Sequence, residues 1–211
     1  FDKIGINASN SSIKLSNPNK KVIVEDFSGM LKNHEEILKE KFMSLVDMND
    51  KFASFHAAFA SNLIFLYVPR NTEAKELIEI ASIADGSSIE HLIVLVEDNS
   101  KVTLVEDSKQ GKTQDSYRSR IVEIFIGKNC IVNYGNVQML GDDAFNFTVK
   151  KASVGQNSTL NWMDCCFGSK VTLSEVTTLL DGENAATNNH GIFFGSKGQQ
   201  FDLVAKSIHN A

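Results

Sequence analysis

The feature that most constrains this chain is an internal repeat. Gly127-Lys128-Asn129, Gly155-Gln156-Asn157 and Gly182-Glu183-Asn184 share one pattern, spaced by 28 and then 27 residues. Glu97-Asp98-Asn99 is a looser copy 30 residues upstream of the first. A second series interleaves with it: Phe167-Gly168-Ser169-Lys170 returns as Phe194-Gly195-Ser196-Lys197, and Gly111 and Gly141 extend that series toward the N-terminus. Between the two turn signals lie short runs rich in Val, Ile, Thr, Phe and Leu, such as Val102–Val105, Ile121–Ile126, Ile131–Val137, Phe145–Val149 and Phe201–Val204. Fixed-period self-similarity of this kind marks a solenoid of stacked coils. An antiparallel sandwich with regularly spaced hairpins is the alternative.

A coil of this period holds two or three strands and their corners. Gly, Asn and Ser supply the bent or positive-φ corners that β-branched residues resist. Alternation within the runs turns every second side chain inward, so stacked coils bury ladders of like residues. Phe125, Phe145, Phe147, Phe167, Phe194 and Phe201 are the expected inward ladder. Asn129, Asn157 and Asn184 are expected to share one corner, about 5 Å apart per coil. The fold class is therefore all-β, a β-solenoid, with a small N-terminal helical region. Residues 63–211 form the solenoid core and residues 1–62 a lead-in. In the lead-in, Ser12–Leu15 and Lys21–Val24 are strand candidates. Met30, Leu31, His34, Ile37, Leu38, Phe42, Leu45 and Val46 recur at helical spacing behind a Ser28 cap. A second helix is expected around Phe52, Phe55 and Phe59. Both helices are expected to pack on the open end of the solenoid and hide its strand edge.

Charge and composition exclude several classes. The chain of 211 residues has a net charge of −5 and no basic stripe, so the footprint of a nucleic-acid binder is missing. Its longest apolar runs, such as Leu63–Val68, are too short to span a bilayer. Three cysteines make no disulfide framework, and a reducing, cytoplasmic setting is expected. The chain opens at Phe1 without a Met and ends in a strand-like run, which points to a fragment truncated at its C-terminus.

Few residues announce chemistry. Cys165 and Cys166 are adjacent, so a strand would point them to opposite faces and they could not chelate one ion. His34, His56, His91, His190 and His209 are scattered, and the expectation is no metal site in this chain. Asp142-Asp143 sits in a turn signal. A carboxylate-and-Ca²⁺ polysaccharide lyase would need such acids beside an exposed basic residue, and Arg occurs only at Arg70, Arg118 and Arg120. There is no phosphate-binding glycine loop and no Gly-x-Ser-x-Gly elbow.

A family resemblance rests on several stretches in order. Asp50-Lys51-Phe52-Ala53-Ser54-Phe55-His56-Ala57-Ala58-Phe59, then Leu66-Tyr67-Val68-Pro69-Arg70-Asn71, resembles the lead-in of the SufB/SufD family of iron–sulfur cluster assembly proteins. Glu97-Asp98-Asn99-Ser100 is similar to the family's turn, Tyr134-Gly135-Asn136-Val137-Gln138 to its Tyr-x-x-Val-Gln segment, and Lys206-Ser207-Ile208-His209-Asn210 to its His-containing segment. The resemblance implies a single-stranded right-handed parallel β-helix with helical ends. It also implies partners: an ABC-type ATPase, SufC, and a second SufB- or SufD-type subunit.

In SufB-type chains a cysteine stands where this chain has Ser108, and a Trp stands where it has Leu140. A hydroxyl cannot accept persulfide sulfur as a thiolate does. These departures point to a SufD-like, non-catalytic scaffold, with any ATPase activity in a partner. Gln138 and Lys150 match polar positions of the family's interior route. On their own, those two read as a strand-facing amide and a solvated amine. His209 is placed near a subunit interface. The resemblance implies that this fragment binds no cofactor, the iron–sulfur cluster belonging to the assembled complex. A β-helix polysaccharide lyase or carbohydrate binder is the competing reading.

Overall fold

The computed structural model describes residues 11–16, 19–60, 62–112 and 115–211. Thirteen strands and three short helices follow one another as β1(Ser11–Ser16), β2(Ile23–Asp26), α1(Phe27–Asn33), α2(Glu35–Lys41), α3(Lys51–Phe59), β3(Asn62–Val68), β4(Ile78–Ala84), β5(Ser88–Val96), β6(Lys101–Gln110), β7(Tyr117–Ile126), β8(Ile131–Leu140), β9(Phe145–Val154), β10(Thr159–Gly168), β11(Val171–Leu180), β12(Ala186–Phe194) and β13(Gln200–His209). From β3 onward the chain alternates between two sheets, one strand to each per coil. One sheet runs β1-β4-β6-β8-β10-β12 and the other β13-β11-β9-β7-β5-β3-β2. Pairing is parallel throughout β3–β13, which makes a parallel β-solenoid of about five turns and rules out the sandwich.

One corner of the solenoid is built by asparagine. Asn71, Asn99, Asn129, Asn157 and Asn184 all have φ between 55° and 58°, the left-handed region that asparagine tolerates better than most residues. Their side chains form an amide ladder in which each Nδ2 donates to the Oδ1 one coil earlier: Asn99 to Asn71 at 3.1 Å, Asn129 to Asn99 at 3.1 Å, Asn157 to Asn129 at 3.3 Å and Asn184 to Asn157 at 3.0 Å. The three asparagines of the repeat thus stack as expected, and two more join them. Just inside this corner a hydroxyl series tightens the turn. Ser100 Oγ donates to Pro69 O at 2.9 Å and Ser158 Oγ to Gly127 O at 2.7 Å; between them Cys130 Sγ donates to Glu97 O at 3.2 Å. Cys130 is therefore a serine stand-in at the corner, buried and without solvent access. The opposite corner holds Gly168, at φ 80°, where a Cβ would fall 1.9 Å from Leu140 O.

The helices do not cap the end of the solenoid. The N-terminal sheet edges are covered by strands instead: β1 pairs antiparallel with β4, and β2 with β3. The helices lie on the outer face of the odd-numbered sheet. Met30 and Leu38 pack with Leu63, Phe65 and Ile93, and Met43, Val46 and Ala53 pack with Ile121. Phe52 stacks on Phe147 with ring centroids 4.3 Å apart. The expected single helix over Met30–Val46 is broken at His34 (φ −141°, ψ 34°), a bend that brings Met30 and Leu38 together onto the same apolar patch. Asp26, not Ser28, caps α1, accepting from Gly29 N at 2.8 Å. Asp50 caps α3 by accepting from Phe52 N and Ala53 N.

The expected phenylalanine ladder is also corrected. Strand alternation puts Phe125, Phe145, Phe147, Phe167 and Phe194 on the outer faces, and of the six only Phe201 has the inward parity. Because helices cover the odd-numbered sheet from outside, its outer face is as apolar as its inner one, and apolarity alone does not say which parity faces the lumen.

Replacing Asn157 tests the corner. Asn157→Ala breaks two ladder bonds and puts in the left-handed region a residue that tolerates it less well than asparagine, and should cost about 2 kcal/mol in denaturant unfolding. Asn157→Gly keeps the conformation and loses only the ladder, and should cost about 1 kcal/mol. Equal costs, or none, would show that the ladder does not hold the corner.

Candidate functional site: a polar stripe inside the solenoid

The lumen is divided lengthwise. Near the asparagine corner it is apolar, lined by Val102, Leu104, Val132 and Leu160 from the even-numbered sheet and by Val94, Val96, Ile124, Ile126 and Val154 from the odd-numbered one. Toward the other corner the same strands turn polar. Strands β6, β8 and β10 carry inward polar residues toward their ends, and β7, β9 and β11 begin with them: Glu106 and Ser108, then Arg118 and Arg120; Asn136 and Gln138, then Asn146 and Thr148; Asp164 and Cys166, then Thr172 and Ser174. Adjacent coils stack these positions into a continuous buried stripe along the axis.

Burying charge in this space requires partners. Glu90 accepts from Ser82 Oγ at 2.7 Å and faces Arg118 at 3.4 Å and Arg120 at 3.7 Å. Arg120 also pairs with Glu106, which accepts from the Tyr134 hydroxyl. Arg118 donates to Ser108 Oγ at 2.7 Å. Further along, Asp164 accepts from Lys150 Nζ at 2.8 Å, Asn136 Nδ2 at 2.6 Å and Ser174 Oγ at 3.4 Å. Three carboxylates thus face three cations, and the stripe is neutral. Burial pulls the Glu90 carboxyl up, yet Arg118, Arg120 and the Ser82 hydroxyl outweigh it and hold the group below the usual range. Asp164 follows the same balance: burial raises it, and Lys150, Asn136 and Ser174 together bring it lower. Burial pushes the Tyr134 phenol up and keeps it a hydrogen-bond donor.

The two residues assigned to an interior route do face the lumen. Gln138 and Lys150 are each 1% exposed, so both the strand-facing amide and the solvated amine are corrected. Gln138 Nε2 donates to Phe167 O at 3.0 Å and Ser169 Oγ at 2.9 Å, while its Oε1 is buried without a hydrogen-bond partner. Ser108, Gln138 and Cys166 occupy one row on successive coils. As the strand argument requires, Cys166 points inward and Cys165 outward. Burial, with the nearby Asp164 carboxylate, pushes the Cys166 thiol up to about 12. A cavity of about 140 Å³ lined by Trp162, Asp164, Cys166, Ser174, Asn189 and Leu203 lies at the last coil. His209 lies on the exposed strand β13, away from the stripe's charged groups.

Among the described residues no group of His, Cys, Asp and Glu is placed to hold a metal ion. Asp142 is exposed and bound by Lys197 at 2.8 Å, and Arg118 and Arg120 are inside the lumen, so these acids and guanidines do not converge at the surface. No helix of the described residues is long and apolar enough to cross a membrane. Sequence reasoning missed Glu90, Glu106, Arg118 and Arg120. They share the parity of neighbouring Leu92, Leu104 and Val122, but the sequence does not say which parity faces the lumen.

Comparison with known proteins agrees with this architecture. A family model described as the SUF system FeS cluster assembly SufBD core domain matches residues 79–211. A Staphylococcus haemolyticus protein named as an iron–sulfur cluster assembly SufBD family protein is 31% identical over 197 residues, 91% of this chain and 42% of that protein. One of the same name from Staphylococcus aureus strain USA300 is 32% identical over 198 residues, with the same coverage. The chain spans about two fifths of the length of these curated relatives.

The Lys150–Asp164 pair gives a direct test of the stripe. Lys150→Met leaves a buried carboxylate without its cation and should cost about 3 kcal/mol in chemical denaturation. Adding Asp164→Leu to that variant should recover most of the loss. Because the folded Asp164 lies below its unfolded value, the pair's stabilisation is complete above roughly pH 4 and fades as pH falls through the folded value. Additive losses in the double variant would show that the two groups do not interact.

Proposed function

The chain belongs to the SufBD family of the SUF iron–sulfur cluster assembly system, and we propose that it acts there as a non-catalytic scaffold subunit. It pairs with a SufB-type subunit, and the ABC-type ATPase SufC works on the resulting complex. The single observation that carries the scaffold reading is Ser108. It faces the lumen in the row that runs from Ser82 through Gln138 to Cys166, and it is engaged by Arg118 at 2.7 Å. At that position the SufB-type resemblance calls for a thiol. A serine hydroxyl held by a guanidinium carries no sulfur, so the sulfur-accepting role falls to the partner subunit. The polar stripe then serves to hold the lumen in one geometry beside that partner.

In this reading the iron–sulfur cluster is the cargo of the assembled complex. Cys130 is spent on a corner hydrogen bond, and Cys165 and Cys166 face opposite sides of one strand. The setting is the cytoplasm, where thiols stay reduced.

Affinity capture checks the proposal. With a tagged SufB-type subunit and a SufC-type ATPase co-expressed, the full-length protein carrying this chain should be retained with both. Ser108→Ala should leave retention unchanged. Failure of the full-length protein to join either partner, with measurable cleavage of an acidic polysaccharide, would replace the scaffold by a lyase.

A further inference from the structure

A second buried polar chain lies on the other side of the odd-numbered sheet, under the helices. Ser119 Oγ is 2.8 Å from His56 Nδ1, His56 Nε2 is 3.2 Å from His91 Nδ1, and His91 Nε2 is 3.0 Å from Glu123 Oε2. Glu123 also accepts from Met43 N at 2.6 Å and Leu45 N at 2.7 Å. His56, His91 and Glu123 have no solvent exposure. The chain ties together four separate pieces: α3, the turn after α2, β5 and β7.

Hydrogen-bond arithmetic fixes the direction of every link. Both Glu123 oxygens already accept from backbone N–H groups, Oε2 from Met43 and Oε1 from Leu45, so His91 donates from Nε2. His91 Nδ1 then accepts, so His56 donates from Nε2, and His56 Nδ1 accepts from the Ser119 hydroxyl. With both rings neutral each bond has one donor and one acceptor. One extra proton fits, because the Ser119 hydroxyl can rotate to accept from His56. Two extra protons do not fit: both imidazoliums would aim an N–H along the same 3.2 Å line.

We propose that the Ser119–His56–His91–Glu123 chain is an acid-sensitive latch, closed while the ring-to-ring bond holds a single proton and opened when acid charges both rings. Opening frees α3 and the Met43–Leu45 turn from the sheet and uncovers the apolar outer face around Ile121 and Phe147. The surroundings favour the closed form at neutral pH. Arg120, one residue from Ser119, acts on both rings through the sheet, and Lys151 sits in register beside Glu123 on β9, within 3.8 Å of Glu175. The Phe42 ring lies 4.7 Å from that of His91, and Tyr117 flanks Ser119 two residues away on β7. Among the described residues Glu123 is the carboxylate bonded to this pair of rings, through His91. Burial lowers both rings, and with His91 and Arg120 it takes His56 to about 2.

The sign follows from proton counting. Well below pH 6.5 the open form binds two protons and the closed form at most one, so there the open fraction rises at least about tenfold per pH unit. Amide hydrogen exchange at Met43 and Leu45, corrected for intrinsic rate, reads this directly. Between pH 6.5 and 5.0 their protection should fall at least about eightfold, while Asn129, whose amide bonds to Gln156 O in the solenoid corner, stays protected. In His56→Gln and His91→Gln the slope should shrink. Should either variant not fold, imidazole titration of the unaltered protein by NMR gives the same answer: the two rings become charged only as Met43 and Leu45 lose protection. Unchanged protection to pH 5.0, equal loss at Asn129, or two charged rings beneath protected amides would each overturn the latch.

Discussion

Everything in this molecule depends on register between coils. Parallel pairing from β3 to β13 places each residue above its counterpart one coil away, about 4.8 Å apart. A residue's parity in its strand then decides whether it faces lumen or outside, and the turn residue decides where the strand starts. The asparagine ladder is the device that fixes that start. Each asparagine spends its side chain on the previous coil and its backbone on a left-handed corner, so a slip of one residue would break both at once and turn the lumen inside out.

With register fixed, the polar stripe is a consequence of where charge is placed along each strand. Glu106, Asn136 and Asp164 stack in one row of the even-numbered sheet, and Arg118, Arg120 and Lys150 project toward them from the odd-numbered sheet. A close-packed lumen offers little solvent to soften a mismatch. The balance of three carboxylates and three cations is what lets the chain keep them there. Replacing a buried ion-pair network by an apolar filling of the same volume is often neutral or stabilising.

The solenoid was legible because its signals are local. Gly-x-Asn corners and alternating strands need no knowledge of distant residues, and Asn129, Asn157 and Asn184 stack as their spacing implies. Asn71 escaped notice because Pro69-Arg70-Asn71 lacks the glycine of the repeat, although it occupies the same corner. The inward parity was not legible. Phe125 and Phe147 are as apolar as Ile124 and Leu160, and only the helices lying across β5, β7 and β9 explain why large rings are outside. For the same reason His56 looked like an ordinary helical residue: its partners, Ser119 and His91, are 63 and 35 residues away. Gln138 and Lys150 were singled out through family resemblance, since an amide and an amine in a strand carry no sign of which side they face.

The central claim, that strand parity sorts side chains between a closed lumen and an outer face, can be tested on the native sequence. Cys165 and Cys166 are neighbours on β10 with opposite parity, one half-buried on the outer face and one buried beside Asp164. Alkylation of the folded protein with iodoacetamide at neutral pH, read residue by residue by mass spectrometry, should modify Cys165 and leave Cys166 intact until denaturant is added. Equal rates at the two thiols, or faster reaction at Cys166, would contradict the account.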